Sequence, residues 1–256
     1  MTVLQGIFLG IVQGLTEFLP ISSSGHLVLL QHYFQVQESG LLFEVLVHFG
    51  TLAAVVIAFW DDVWSLLCRP FQKLTLLLLV GTIPAAVVGL TFRSFFEQLF
   101  NSVMAVAVAL LITGVILWLV ETFTESNKSL ASMGSGSALL IGLAQALAIA
   151  PGISRSGATI AAALFTGLDK RSAARYSFLL SIPAILGATV LELRSLVGME
   201  MSVGFPAPYL MGMLAAALTG FLAIKILLNL LNRGKLYYFS FYCWAVGLVA
   251  ILTKLF

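Results

Sequence analysis

The feature that most constrains this chain is the recurrence of apolar runs about as long as a bilayer is thick. LLFEVLVHFGTLAAVVIAFW (41–60), LTLLLLVGTIPAAVVGLTF (74–92), VMAVAVALLITGVILWLV (103–120) and YLMGMLAAALTGFLAIKILLNLL (209–231) stand out. Each approaches or exceeds the roughly 18 to 20 residues a helix needs to cross about 30 Å of hydrocarbon. In lipid the backbone must satisfy its own hydrogen bonds, which makes such runs helices. The composition agrees, with 60% hydrophobic and 9% charged residues, where an average soluble domain carries about 25% charged. An all-α integral membrane protein follows, one membrane domain over 1–256 with no length left for a soluble one. The opening MTVLQGIFLG has no basic region and no small-residue cleavage site, so it does not read as a removable signal peptide. A net charge of +2 without a basic tail excludes nucleic acid as a partner. Cys68 and Cys243 lack metal-ligand spacing, which argues against a disulfide or a zinc site.

The basic residues suggest an orientation. With spans at about 43–60, 74–92, 103–120, 176–194, 209–231 and 237–255, a cytoplasmic loop at 61–73 also puts 121–137 and 169–175 inside. Arg69, Lys73, Lys128, Lys170, Arg171, Arg175, Arg233 and Lys235 are then inside, and Arg93, Arg194 and Lys254 outside. That agrees with the positive-inside rule and puts both termini outside. The scheme requires 138–168 to return to the side it entered from. Its arms, ALLIGLAQALAIA (138–150) and GATIAAALFTGL (157–168), reach only roughly 18 to 20 Å as helix and cannot span. A re-entrant hairpin is the economical form, with its irregular tip covered by protein or a watery cavity. The start of the chain has the same shape: an arm from about 3 to 19, a broken tip at 20–25 and a short arm from 26 to about 36.

The two hairpins are similar in sequence. LGIVQGLTEFLPISSSGHLV (9–28) set over IGLAQALAIAPGISRSGATI (141–160) pairs Gly10 with Gly142, Gln13 with Gln145 and Leu15 with Leu147. Allowing one inserted residue after the proline, Pro20 pairs with Pro151, Ser22 with Ser154, Ser24 with Ser156 and Gly25 with Gly157. The expected fold is an inverted-topology repeat, each half one re-entrant helix hairpin plus three transmembrane helices. Its parts are a first repeat at 1–120, a cytoplasmic linker at 121–137 and a second repeat at 138–256. An odd number of spans inverts the second copy and lets the two polar tips meet near the midplane. A weaker likeness, GTIPAAVVGL (81–90) to LSIPAILGAT (180–189), does not fit this register.

The tips carry the chemistry. Gln13 and Glu17, four apart, share a helical face. PGISRSGAT (151–159) offers loop N–H groups before a helix, hydroxyls from Ser154, Ser156 and Thr159, and the Arg155 guanidinium. Such a set suits phosphate. Facing it are a carboxylate, hydroxyls and the imidazole of His26, the parts of a nucleophile and its proton handler. Glu44 and His48, also four apart, can add a second Glu/His face. The combination points to cleavage of a phosphate ester or anhydride at the membrane.

The motifs QGLTEFLPISSSGHL and PGISRSGAT, with FEVLVHFGTLAAVV and FLLSIPAILGA after them, resemble those of the undecaprenyl pyrophosphate phosphatase family, the bacitracin-resistance membrane phosphatases. The resemblance covers nearly the whole chain. It implies hydrolysis of undecaprenyl diphosphate to the monophosphate and inorganic phosphate, recycling the lipid carrier of cell-wall synthesis. It further implies the bacterial cytoplasmic (inner) membrane, a site facing the periplasm, and dependence on a divalent cation, Mg2+ or Ca2+. Carried over by motif position, Glu17, Ser23, His26 and Arg155 are the catalytic set, with Glu17 the candidate metal ligand. Ser22, Ser154, Arg155, Ser156 and Thr159 would bind phosphate, with Gln13, Glu44 and His48 in support. Two departures stand out: members often have glutamate where this chain has Gln13, and glutamine can occur at His48.

Duller roles compete for these residues. Ser22 to Ser24 are ordinary caps for a helix starting near Gly25, His26 can bond backbone, and Arg155 can pair with Glu17. An ionisable residue in a span is expensive, so Glu17 and Glu44 start as functional candidates. In the preferred mechanism Ser23 attacks the terminal phosphorus and His26 handles protons; the rival has His26 or Glu17 activating water. A transporter or flippase of a phosphorylated polyprenyl lipid is the alternative function. The sequence leaves the oligomeric state open, a homo-oligomer included.

Overall fold

The computed structural model describes residues 1–34, 41–123, 127–196, 207–232 and 236–255, and the regular structure among them is helical apart from one isolated bridge between Lys128 and Leu168. In chain order come α1 (Val3–Phe18), α2 (Ser23–Phe34), α3 (Leu41–Ala58), α4 (Trp60–Cys68), α5 (Lys73–Thr91) and α6 (Arg93–Phe100). They are followed by α7 (Val103–Phe123), α8 (Ser135–Leu147), α9 (Arg155–Phe165), α10 (Lys170–Leu196), α11 (Ala207–Asn232) and α12 (Tyr237–Leu255). Five of these, α5, α7, α10, α11 and α12, are long and apolar enough to cross a membrane; α3 and α4 together make a sixth candidate, bent by 87°. The chain is thus a multi-pass, all-helical membrane protein. α1 and α8 are apolar but too short to join them.

Several boundaries differ from the sequence expectation. The loop expected at 61–73 is largely the helix α4, which turns away at Phe59. Asp61 and Asp62 in its first turn suit the helix dipole, and Trp60 and Trp64 stack on each other while exposed, as interfacial aromatics do. α10 begins at Lys170 rather than near 176, because the Asp169 carboxylate accepts from the Ser172 amide at 2.8 Å and the Ser172 hydroxyl at 2.7 Å. α2 begins at Ser23, so Ser23 and Ser24 lie in a first helical turn rather than in a loop. Arg233, Lys235, residues 35 and 36 of the first short arm, residues 124–126 of the linker and the Arg194 side chain lie outside what the structure describes.

Contacts sort the helix ends into two groups. Arg175 pairs with Asp62, Lys170 pairs with Glu121 at 2.8 Å, and the Leu236 amide donates to Glu121 at 3.3 Å. At that same end the Lys128 amide donates to the Gly167 carbonyl and the Asp169 amide to the Lys128 carbonyl, both at 2.9 Å. The chain therefore approaches α8 and leaves α9 side by side. At the opposite end Gly6 of α1 lies against the Pro208 carbonyl, and Tyr33 of α2 bonds the Ala250 carbonyl and Thr253 of α12.

Each short apolar helix is seated by glycine. A Cβ on Gly10 of α1 would stand 2.1 Å from the Gly212 carbonyl oxygen of α11, and one on Gly142 of α8 would stand 2.5 Å from that of Gly81 in α5. Such close backbone approach, rather than a hydrophobic driving force, is how helices pack in lipid. Around these seats the core closes with Phe18 edge-on to Phe178 at 5.6 Å and the Tyr176 hydroxyl donating to the Leu77 carbonyl at 2.7 Å.

Candidate active site

Between α1 and α2 the chain makes a tight corner at Leu19–Ser22. Ser22 has φ 69°, the left-handed region that a non-glycine residue rarely enters. Its hydroxyl holds the corner by accepting from the Gly25 amide at 3.3 Å and, across the interface, from the Gly152 amide at 3.2 Å. The second corner uses glycine for the same purpose: Gly152 has φ 95°. Thr113 of α7 braces it, donating to the Gly152 carbonyl at 3.0 Å and accepting from the Ser154 amide at 3.1 Å. Ser154 caps α9 through the Gly157 amide at 3.1 Å. The Ser156 hydroxyl crosses back to the Leu19 carbonyl at 3.2 Å. The tips are thereby bonded to each other.

A cavity of about 650 Å³ opens from this junction. At its buried end Glu17 is the hub. Its Oε2 accepts from Ser23 Oγ at 2.5 Å and from Gln13 Nε2 at 3.0 Å, and its Oε1 accepts from Arg155 Nη2 at 2.6 Å. Glu17 is 8% exposed, so the ion pair with Arg155 is held in an environment where breaking it leaves a buried charge. Arg155 Nη1 has no hydrogen-bond partner. The pairing with Glu17 is the plain structural option for this arginine; the spare nitrogen is what exceeds it.

The expected residues fall into two groups. Glu17, Ser22, Ser23, Ser154, Arg155, Glu44 and His48 border the cavity. Ser156 and Thr159, expected to bind phosphate, do not. Thr159 is buried, with its hydroxyl on the Arg155 carbonyl at 2.8 Å and on Ser177 at 2.6 Å; it and Ser156 hold the second tip in place. Gln13 acts on Glu17 from behind. His26, expected to handle protons, is not among the residues that border this cavity. Its Nδ1 donates to the Ser22 carbonyl at 2.7 Å and its Nε2 lies 2.8 Å from the Tyr242 hydroxyl, in a separate apolar slot beside α12. The imidazole follows the backbone because it begins four residues after Ser22, one turn along α2, so the Ser22 carbonyl is its nearest acceptor. Ser23 turns instead to Glu17.

Several cavity residues were not singled out as site residues from sequence, Glu192, Gln145 and Arg93 among them. Glu192 of α10 borders it with Glu44 and His48; the rule that an ionisable group in a span is functional would have found it. Gln145 borders it too, and its signal was the pairing with Gln13. Arg93, bonded to Glu97 at 2.7 Å, stands at the exposed end. Tyr242 had no sequence signal, being one aromatic among several in its helix.

The donor set does not fit a protein-held divalent cation. Among the described residues no group of three or more His, Cys, Asp or Glu side chains is arranged to hold one, and both oxygens of Glu17 are already occupied by Arg155, Ser23 and Gln13.

The family described as "Bacitracin resistance protein BacA" matches residues 6–249. A protein of Carboxydothermus hydrogenoformans named undecaprenyl-diphosphatase is 47% identical over 98% of this chain and 97% of its own length. One of the same name from Halothermothrix orenii is 48% identical over 98% of both chains. A third, from Alkaliphilus metalliredigens, is 42% identical over 100% of both.

Proposed function

The chain belongs to the bacitracin resistance protein BacA family, and from that premise we propose how the cavity between the two tips works as its active site. The protein is an undecaprenyl-diphosphatase: it hydrolyses undecaprenyl diphosphate to undecaprenyl phosphate and inorganic phosphate. The observation that carries the site assignment is the chain Ser23–Glu17–Arg155, with a hydroxyl, a carboxylate and a guanidinium in consecutive hydrogen bonds at the buried end of one cavity.

The diphosphate enters with its terminal phosphate toward Arg155, which has an unused Nη1 to offer. Charge-assisted bonds from guanidinium to phosphate are among the stronger ones available. As Arg155 turns to the substrate, Glu17 is left as the partner of Ser23. Ser23 Oγ attacks the terminal phosphorus while its proton passes to Glu17 Oε2; the bond from phosphorus to the bridging oxygen breaks and the lipid monophosphate leaves. Water then attacks the phosphoserine, Ser23 recovers its proton from Glu17, and inorganic phosphate departs. Positioning and charge neutralisation by Arg155 account for most of the acceleration, as in phosphoryl transfer generally. His26 acts from outside this path, fixing the Ser22 corner. No step is routed through a metal; a divalent cation, where the reaction uses one, would neutralise charge on the diphosphate rather than be held by Glu17, whose two oxygens are already bonded.

Within the membrane we read α1–α2 and α8–α9 as two re-entrant hairpins of an inverted repeat. Supporting this are the shared exit of α8 and α9 at one end, the docking of α1 and α2 at the other, and the matched seating of α1 on α11 and α8 on α5. The inner membrane, with the cavity open to the periplasm, completes the reading.

The test is phosphate release from long-chain polyprenyl diphosphate by the detergent-solubilised protein. Release by the native chain that disappears in Ser23→Ala, together with trapping of a phosphoserine at Ser23 on rapid quench, is expected. Full activity of Ser23→Ala would move the nucleophile to water.

A further inference from the structure

We propose that Gln145 is a binding residue for the diphosphate of the substrate, an inference that rests on the phosphatase reading above. Gln145 sits on α8 at 3% exposure and borders the same cavity as Ser154 and Arg155. Neither its Nε2 nor its Oε1 has a hydrogen-bond partner. A buried amide left unpaired is destabilising, and an apolar side chain of similar size would fill the site without that penalty. A residue kept under those terms has a partner that comes and goes.

Comparison with Gln13 indicates which partner. Gln13 spends its amide on Glu17, four residues on, at 3.0 Å. Four residues on from Gln145 stands Ile149, which accepts nothing. The second arm has the amide without the carboxylate. On the same cavity Arg155 Nη1 and the Thr189 hydroxyl are donors that also have no acceptor. Three spare donor groups beside one cavity, one cationic and two neutral, call for a ligand with several acceptor oxygens, and a phosphate group has them. The final torsion of glutamine is broad, so the amide can turn its N–H groups to the ligand while α8 stays fixed against α5. A neutral donor has an advantage here. A second cation would compete with Arg155 for Glu17, whereas an amide adds a bond to phosphate and leaves the carboxylate to Ser23.

The experiment measures KM for a long-chain polyprenyl diphosphate, Ki for inorganic phosphate, kcat and thermal unfolding on the full detergent-solubilised chain, native and Gln145→Leu. KM and Ki are expected to rise together by about tenfold, with kcat changed less than about threefold and thermal stability equal to or above native. Gln145→Glu is expected to raise both constants further, since it sets a carboxylate against the phosphate. Gln145→Met stands in if the leucine chain does not fold. Unchanged KM and Ki in a folded variant would overturn the proposal, and so would lost stability and kcat at constant KM, which would make the amide structural. The phosphatase reading fails differently, by a native chain that releases no phosphate.

Discussion

At Ser22 and Ser154 the two tips perform the same task. Ser22 Oγ accepts from the Gly25 amide and Ser154 Oγ from the Gly157 amide, in each case three residues on. Ser22 and Ser24 stand hydroxyl to hydroxyl at 3.3 Å, and Ser154 and Ser156 do so at 3.2 Å. Between each pair of serines lies one residue, and there the tips part: Ser23 in the first, Arg155 in the second. Both reach the same carboxylate, Ser23 at Oε2 and Arg155 at Oε1 of Glu17. The caps are a shared solution to starting a helix in the middle of a protein, where orphan amides must be paired. The tips differ at the position the cap leaves free, and at Glu17, whose counterpart is Ile149, and the proposed mechanism places its chemistry on those residues.

If that division holds, substitutions between the serines should act on turnover and substitutions at the serines on stability. The largest effect is expected at Ser23→Ala, on the order of 10³-fold or more in kcat, with the thermal transition unchanged. Arg155→Lys follows at about 10²-fold in kcat/KM, because an ammonium keeps the charge but loses the planar fork that holds two phosphate oxygens in parallel bonds. Steady-state kinetics of the two variants, beside their unfolding curves, would break the comparison if either lost stability in proportion to activity.

Legibility from sequence followed the same division. The membrane spans could be read because each is a local property of about 20 consecutive residues. The two tips could be read because their repeat fixed which residues correspond. The placement of His26 could not: it depends on Tyr242, 216 residues away, and on the left-handed turn at Ser22, which no residue type there announces. Nor could the helix α4: the span was expected to end near 60 in a loop, and the chain instead continues as helix after a bend of 87°. Glu192 was legible and passed over. The Ser156 and Thr159 hydroxyls look like ligand donors in sequence, but a donor's direction is decided by tertiary packing.

The two corners differ in how they bear their backbone geometry, and that difference sets the next prediction. Gly152 has φ 95°, and a Cβ there would meet the Val106 carbonyl oxygen at 2.4 Å. Gly152→Ala is expected to destabilise by about 3 kcal/mol, from the left-handed backbone and the clash together. At Ser22 the same region is occupied by a side chain that repays it with bonds. Ser22→Ala removes them and keeps the Cβ, at about 2 kcal/mol, whereas Ser22→Gly relieves the backbone and should fall below about 1 kcal/mol. Thermal unfolding in detergent ranks the three; Ser22→Gly worse than Ser22→Ala would mean that the corner is not strained.

The smallest effect is expected at the far end of the cavity, where a second arginine–glutamate pair offers a control for the first. Arg93 and Glu97 lie one turn apart at 2.7 Å, as close as Arg155 and Glu17 at 2.6 Å, but their side chains are 64% and 60% exposed against 16% and 7%. Distance alone would rank the pairs equal. Exposure separates them, because water and salt screen the outer pair and an exposed i,i+4 pair contributes only about 0.3–0.5 kcal/mol. Arg93→Ala should therefore leave unfolding within about 0.5 kcal/mol of native. It should lower kcat/KM no more than about threefold, through weaker attraction of an anionic headgroup, and the deficit should vanish at high ionic strength. A loss at high salt as large as that of Arg155→Lys would mean that the exposed end also grips the diphosphate, and the chemistry would then extend beyond the two tips.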